Sequence, residues 1–349
     1  MKSLAGLLFG ILICILLANF AGESAINFIR TIGLSAFGSK YDLGLTLFYT
    51  TAFIFTGLSV CWSFHAGLFN IGAEGQLTIA CITAAYIGTM MPGLGSGTSM
   101  LFIFIIPLLL AAVWGGIAGW LKVKKGSHEV IITMMLNFIA AAIANWITLE
   151  KIKNPDSQNP ESRPISDAFY FSNDFIQNYF TDSPVNFSIL IAVVLCFLLY
   201  YILNYTTYGF KLKATGKNAK TAQWSGILTQ RIQLQALTFS GLLAGFVAWN
   251  EIVGSIHKFR LGFSADYGFV GIAVALLSRN NPILILPSAF LFGVLQKGAS
   301  DLDIETEFIT RDFARIMEAI IILSVIGFSM IKFNKKKSLP KSSEIKNDL

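Results

Sequence analysis

Charged residues are scarce in this sequence, at only 13% of its 349 residues. Soluble domains carry about 25%. Apolar runs of about twenty residues recur along the chain, and a helix of that length crosses a bilayer. Ten-residue segments of alternating polarity, which are typical of outer-membrane barrels, are absent. The composition therefore predicts an all-α, polytopic membrane protein.

Motifs for phosphate binding, hydrolysis and metal binding are also missing. No GxxxxGK[ST] loop is present, because Lys211 stands where the first glycine would precede Thr215-Gly216-Lys217-Asn218. No HExxH, GxSxG or metal-ligand spacing of His and Cys occurs. We therefore predict that the chain is not an enzyme and holds no metal or cofactor. The net charge of +6 comes from basic residues clustered between apolar segments, so it does not indicate nucleic-acid binding.

Hydropathy predicts ten transmembrane helices, with a mixed loop at 22–42 and an acidic loop at 297–312. The first is interpreted as a retained helix rather than a signal peptide. Spans eight and nine are short for a full crossing. The ten predicted spans are 4–20, 43–64, 68–90, 100–121, 129–149, 185–203, 234–253, 267–277, 283–295 and 316–331.

The basic residues predict the orientation of these spans. They fall in the connection at 122–125, in the connection at 205–231 and in the tail after residue 331. With ten spans all three lie on one side, which the positive-inside rule assigns to the cytoplasm. Both termini are then cytoplasmic, and the polar segment 150–184 is external. We predict a transmembrane domain over 1–334 and a disordered basic tail over 335–349.

The most unusual stretch is 67–76, where Asn70, Glu74 and Gln76 interrupt an apolar run between three glycines. Unsatisfied polar groups are costly in a hydrocarbon core, and broken helix is tolerated there only against protein or a wet cavity. We therefore expect an irregular start to span three and interpret the stretch as the wall of a solute pathway. A polar contact between helices is the alternative.

Other polar and aromatic residues inside the spans are further pathway candidates. We select Phe69, Asn137, Asp266 and Tyr267; Asn250 and Glu251 lie near the outer end of span seven. Amides donate and accept hydrogen bonds, so they suit hydroxyls and ring nitrogens. Because no predicted span contains Lys or Arg, an uncharged polar solute is favoured. Each amide could equally serve only to join helices.

The basic connection between spans six and seven contains a helix-compatible stretch, 218–224, between Gly216 and Gly226. Asn218 is a suitable N-cap. A short helix parallel to the membrane would suit docking of a soluble partner, and a solvated connector is the alternative. Spans three and eight also open similarly, which suggests two related halves, 43–149 and 233–332, although chance similarity explains this equally well.

Four segments give the chain a resemblance to permease subunits of bacterial ABC importers of the branched-chain amino acid/ribose class, nearest the branch for nucleosides and simple sugars. They run in the family's order. The segments are Gly67-Leu-Phe-Asn-Ile-Gly-Ala-Glu-Gly-Gln76, Gly126-Ser-His-Glu-Val-Ile-Ile-Thr-Met-Met-Leu-Asn137, Ala214-Thr-Gly-Lys-Asn-Ala-Lys-Thr-Ala-Gln-Trp-Ser-Gly226 and Asp266-Tyr-Gly-Phe-Val-Gly-Ile-Ala-Val-Ala-Leu-Leu277.

The resemblance implies an inner-membrane permease in the lipid bilayer, with a second permease subunit, identical or paralogous, ABC ATPase subunits that consume ATP, and an extracytoplasmic solute-binding protein. It favours a nucleoside over a simple sugar. The residues that it implies for ATPase coupling are Gly216, Asn218, Ala222, Trp224, Ser225 and Gly226. The segment departs from the family at Ala219-Lys220 and at the displaced Trp224. An ion-coupled secondary transporter, using Glu74 and Asp266, is the rival class.

Overall fold

The structure is a computed structural model that describes residues 2–91, 96–171, 176, 179–180, 182–263, 266–305 and 311–330. Within these residues the regular elements are helical, apart from two isolated β-bridges. A π-helical segment covers Trp249–Ile256. The α-helices are α1 Lys2–Phe20, α2 Ala25–Phe37, α3 Lys40–His65, α4 Ala73–Met90, α5 Ser96–Lys125, α6 Glu129–Glu150, α7 Ser188–Tyr205, α8 Thr207–Lys217, α9 Ala219–Trp224, α10 Thr229–Gly245, α11 Tyr267–Leu277, α12 Pro282–Glu305 and α13 Arg311–Met330.

Every one of the ten predicted spans overlaps one of these helices. Within the described residues, six helices are long and apolar enough to cross a membrane, or seven if the bent pair α1–α2 is one span. The prediction of an all-α polytopic membrane protein is therefore confirmed, and ten crossings stay a prediction. The predicted tail at 335–349 lies outside the described residues.

The mixed loop predicted at 22–42 is wrong, because most of it forms α2. The Ser24 hydroxyl accepts a hydrogen bond from the backbone nitrogen of Asn27 at 3.1 Å, which caps the helix. The axis of α2 makes an angle of 117° with that of α1. Apolar side chains of α2, such as Ile26 and Phe37, remain exposed, so α2 changes direction instead of extending the first crossing.

The predictions of a short ninth span and of an acidic loop from residue 297 are also wrong, because α12 continues to Glu305. Lys297 is buried in α12, and its ammonium group lies 3.3 Å from Asp42 Oδ1 and also pairs with Asp301 one turn further along. These carboxylates neutralise a buried charge that would otherwise be costly. The prediction that no membrane span contains Lys is also wrong, because Lys297 lies within α12. Its two carboxylate partners explain how the helix accommodates this charge.

Helix α3 is buried along most of its length and packs against α10, α11 and α12. Helices α5 and α10 meet along a seam of glycines that brings their backbones together. A Cβ added to Gly115 would lie 2.2 Å from the Leu237 carbonyl oxygen, and one added to Gly241 would lie 2.2 Å from that of Ala111. Side chains on either side of the seam are therefore held in fixed register.

The loop that follows α6 pairs with the segment after the π-helical turn. The backbone nitrogen of Ser162 donates to the Phe259 carbonyl oxygen at 2.8 Å, and Glu161 forms an isolated bridge with Arg260. The buried Glu161 carboxylate accepts from Lys258 at 2.8 Å and from Arg260 at 3.2 Å. The Lys258 hydrogen bond holds the pKa of Glu161 below its usual value. We call residues 151–171 the paired loop.

Candidate functional site

The unusual stretch 67–76 is a break between two buried helices. Helix α3 ends at His65, and α4 begins only at Ala73. Gly67 has a φ of +74°, a left-handed conformation that glycine adopts without steric cost. The irregular start predicted for span three is confirmed. Backbone groups in this break lack helical partners, so side chains must satisfy them.

Asn70 is fully buried at the centre of a polar cluster. Its amide nitrogen donates to Ser240 Oγ at 2.8 Å and to Gln76 Oε1 at 3.1 Å. Its amide oxygen accepts from the backbone nitrogen of Gly72 at 2.9 Å. The hydroxyl of Ser240 donates in turn to the Ser59 carbonyl oxygen at 2.7 Å. We call Asn70, Gln76, Ser240 and Ser59 the amide cluster; it joins α3, α4 and α10.

Asn137 on α6 closes the other side of the break. Its amide oxygen accepts from the backbone nitrogen of Gly75 at 2.9 Å, and its amide nitrogen donates to the Ile71 carbonyl oxygen at 3.0 Å. Two orphan backbone groups are therefore satisfied by one side chain. A Cβ on Gly75 would lie 2.7 Å from the same amide oxygen, so glycine is needed for this approach.

Glu74 joins the break to the second predicted motif. Its Oε2 atom accepts a hydrogen bond from the backbone nitrogen of Gly268 at 2.7 Å. Gly268 lies in the first turn of α11, where backbone N–H groups are free and the helix dipole favours negative charge. A Cβ on Gly268 would lie 2.4 Å from the Glu74 nitrogen. The start of α4 and the start of α11, 194 residues apart in sequence, are thus in direct contact.

The remaining predicted residues fall into two groups. Tyr267 is buried, and its ring packs edge-on against Phe53 at 5.5 Å between centroids. It lies beside the Glu74 contact. Asp266 is exposed, with a φ of +67° and no capping hydrogen bond from its side chain. Phe69 is half-buried against Phe64 at 5.2 Å. The structure therefore brings Tyr267 to the centre and leaves Asp266 at the edge.

The predicted helix between Gly216 and Gly226 is present as α9. The Asn218 side chain accepts from the backbone nitrogen of Thr221 at 3.1 Å, so the predicted N-cap is confirmed. Ala222 is buried and anchors the helix, whereas Ser225 is exposed. Trp224 is 92% exposed, which is exceptional for the largest apolar side chain. Gly226 ends the segment with a φ of +80°.

Comparison with known proteins decides the class of this chain. Residues 43–326 match the family model described as "Branched-chain amino acid transport system / permease component". The chain belongs to this family. The match covers both the break between α3 and α4 and the segment around α9, so both lie within the permease fold. The predicted class, a permease subunit that leaves ATP hydrolysis to another subunit, is confirmed.

This permease is similar to curated relatives over most of its length. It is 30% identical over 331 residues to the guanosine ABC transporter permease protein NupP of Bacillus subtilis, covering 95% of this chain and 94% of the relative. It is 30% identical to the nucleoside ABC transporter permease protein NupB of Lactococcus lactis, covering 98% and 94%. The glucose ABC transporter permease protein TsgB13 of Haloferax volcanii is 27% identical, covering 84% and 78%.

These matches confirm that the permease is an integral membrane protein of the nucleoside and simple-sugar branch of ABC importers. They give no roles to individual residues, so the pathway and coupling assignments stay predictions. Permeases of this class work with separate ATPase subunits.

Sequence reasoning missed two members of the amide cluster in this permease. Ser59 and Ser240 are single hydroxyls inside apolar helices, and such residues usually bond their own helix. Their importance comes from lying opposite each other, 2.9 Å apart between hydroxyl oxygens. One available signal was that Ser240 directly precedes Gly241 of the small-residue seam. Small residues in sequence mark places where another helix approaches closely enough to share a hydrogen bond.

Proposed function

We propose that this permease forms the membrane path of an ATP-driven nucleoside importer, located in the plasma (inner) membrane. The observation that carries the proposal is the buried amide cluster at the break between α3 and α4. Its four side chains supply hydrogen-bond donors and acceptors, and none of the four is cationic. Neutral cargo with hydroxyls and ring nitrogens can exchange hydrogen bonds with such groups. The guanosine and nucleoside permeases that resemble it over nearly its whole length support the choice of cargo.

The path follows the residues selected from the sequence. Asn70, Gln76 and Asn137 line it at the start of α4, and Glu74 and Tyr267 line it where α4 meets α11. Phe69 and Asp266 lie at its margins. The Glu74–Gly268 hydrogen bond supports two related halves, because each contributes a helix that starts abruptly at the same place. Broken helices that meet within a bundle are typical of transporter substrate sites.

The topology has ten crossings with both termini in the cytoplasm. The ten helices that overlap the predicted spans support this count. Basic residues then gather on the side that carries α8 and α9, as the positive-inside rule requires. The paired loop faces outward, where a solute-binding protein would dock. The pore forms from two permease subunits, identical or paralogous, and ATP is hydrolysed in two ATPase subunits.

The docking segment, 216–226, couples ATP hydrolysis to the path. Its exposed Trp224 offers a large apolar surface for an ATPase groove, and Ala222 secures α9 to the bundle. Gly216 touches the backbone of the break, since a Cβ placed on it would lie 2.7 Å from the Gly67 nitrogen. Movement of α8 and α9 therefore reaches Asn70 through three residues of chain, and alternating access follows.

A simple sugar is the second candidate cargo, because the glucose permease of Haloferax volcanii also resembles the chain. Sugars carry hydroxyls and no ring nitrogens or flat base. The two cargoes can therefore be separated by competition, since excess glucose would displace a labelled sugar and leave nucleoside uptake unchanged.

Reconstituted vesicles test the proposal. The permease, its ATPase and its solute-binding protein are placed in liposomes, and uptake of labelled guanosine is measured with and without ATP. Uptake that needs ATP, survives collapse of ion gradients and resists excess glucose is the expected result. Uptake that follows an ion gradient in vesicles containing the permease alone would instead establish the secondary transporter, and uptake of glucose alone would establish the sugar permease.

A further inference from the structure

Glu251 is a carboxyl group in the interior that neither the fold nor the proposed path has used. Its side chain is 1% exposed, on the π-helical segment that continues α10. Among the described residues, its Oε1 atom has no hydrogen-bond partner. Buried acceptors are rarely left unpaired, and those that are call for an explanation. Single π turns occur frequently at functional sites, because the extra residue redirects side chains.

The neighbouring residues fix the backbone here, so Glu251 is not required for that purpose. Asn250 is fully buried, and its amide oxygen accepts from the Ser188 hydroxyl at 2.8 Å. Its amide nitrogen donates to the Phe48 carbonyl oxygen at 3.3 Å, and its carbonyl oxygen accepts from Asn186 at 3.0 Å. These three hydrogen bonds, to Phe48 of α3, Ser188 of α7 and the preceding Asn186, hold the turn, while the Glu251 carboxyl keeps one oxygen unpaired.

Glu251 lies close to the first turn of α11, which also contacts the break between α3 and α4. The Tyr267 hydroxyl and the Asn250 amide both lie within hydrogen-bonding reach of its carboxyl group. Tyr267 is the residue before Gly268, whose backbone nitrogen donates to Glu74. The two acidic side chains thus flank the first turn of α11, with Tyr267 between them.

We propose that Glu251 is a specificity-determining residue of the path, whose free Oε1 accepts hydrogen bonds from the vicinal hydroxyls of a ribose. The inference rests on nucleoside import as the function of this permease. The unpaired oxygen is buried in this structure, and a cargo hydroxyl that reaches it can donate a hydrogen bond to it. A solute without those hydroxyls leaves the buried oxygen unpaired again, and sites of this kind reject such solutes strongly.

The test compares two cargoes that differ only in these hydroxyls, guanosine and 2′,3′-dideoxyguanosine. ATP-dependent uptake is measured in vesicles that hold the complete transporter. In the wild type, kcat/KM for guanosine should exceed that for the dideoxy analogue at least about tenfold. In Glu251→Gln, which keeps the size of the side chain, the ratio should fall toward one through a higher KM for guanosine. Uptake of the analogue should fall less than uptake of guanosine.

Two further variants complete the design. Glu251→Asp withdraws the carboxyl group by one methylene and should also lower the ratio; it serves where the Gln variant fails to accumulate in the membrane. Glu150→Gln, at the exposed end of α6, is the matched control and should keep the wild-type ratio. If uptake of both cargoes falls strongly and the ratio of the remaining rates is unchanged, Glu251 has a structural role only and the proposal is overturned.

The outcomes distinguish failure of the role proposed for Glu251 from failure of nucleoside import as the function. A wild-type transporter that imports neither nucleoside with ATP refutes nucleoside import itself. A wild type that imports guanosine but treats the dideoxy analogue equally overturns only the role of Glu251. The same conclusion follows if both Glu251 variants keep the wild-type ratio.

Discussion

Gly216, the last residue but one of α8, packs directly on the backbone at the end of α3. A Cβ added to it would lie 2.2 Å from the carbonyl oxygen of His65. That distance is far inside van der Waals contact, so only glycine fits without a shift of one backbone. The proposed docking segment and the break that carries Asn70 are therefore adjacent parts of one structure.

Replacing Gly216 with Leu should uncouple transport. The side chain must push α8 away from the break, and overpacking of this kind costs about 1–3 kcal/mol. We expect ATP-driven uptake to fall about tenfold or more, because about 1.4 kcal/mol corresponds to a factor of ten. The measurement is uptake per inserted permease. Gly33→Ala is the control, because its added Cβ has no neighbour within 4 Å, and its uptake should be normal. Normal uptake in Gly216→Leu would show that α8 does not couple ATP hydrolysis to the break.

Replacing Trp224 with Ala should weaken ATPase docking while leaving the permease folded. The side chain is 92% exposed, so its removal costs the isolated subunit little. Buried Trp residues at interfaces commonly contribute about 2 kcal/mol or more to binding. The measurement is the amount of ATPase recovered with the purified permease. Trp146→Ala, on an exposed face of α6, is the control, and equal recovery in both variants would exclude Trp224 from the interface.

Replacing Asn70 with Ala should destabilise the permease. The change removes two donated bonds, and it leaves the Gln76 side-chain oxygen without this donor and the Gly72 nitrogen without its acceptor. Leaving buried groups unsatisfied costs about 1–3 kcal/mol each, so the thermal midpoint in detergent should drop clearly. Thr83→Val is the comparison, because Thr83 bonds only its own helix at the Ile79 carbonyl oxygen. A midpoint as high as that of Thr83→Val would show that the cluster adds nothing to stability.

Acid should release the paired loop. The Lys258 hydrogen bond lowers the pKa of Glu161, so its contribution is present above the unfolded value of about 4.3 and is lost as the pH falls through the lower folded value. Protection of residues 153–165 against hydrogen exchange, relative to the intrinsic rate at each pH, should be high at neutral pH and fall below about pH 4.3. In Glu161→Gln exchange should already be faster at neutral pH. Exchange that is independent of both changes would show that the ion pairs do not hold the loop.

The positions of the buried helices could be predicted from sequence because length and apolarity decide which segments enter a bilayer. Gly67 and Gly72 likewise marked the break before α4, since glycine rarely occurs where a helix should run through. Helix α2 was missed because its 13 residues mix apolar side chains with Arg30 and resemble a loop in composition. The end of α12 was missed because its acidic residues suggested solvent, whereas Lys297 pairs with Asp301 inside the structure.

Partners across long sequence distances could not be predicted at all. The bond between Glu74 and Gly268, and the one between Asn137 and Gly75, depend on where helices meet, which no local pattern specifies. The sequence identified Asn70 and Asn137 as candidates, yet it could not show that one holds a cluster and the other closes a backbone break.

The glycine seam between α5 and α10 has a mechanical consequence. Sliding one helix along the other would drive the Leu237 and Ala111 carbonyl oxygens into the opposite main chain, so the two helices travel as a rigid unit. A contact made by side-chain hydrogen bonds, by contrast, can exchange one partner for another at little cost in free energy. Of these two contacts of α10, the one that can shear is therefore that between Ser240 and Asn70.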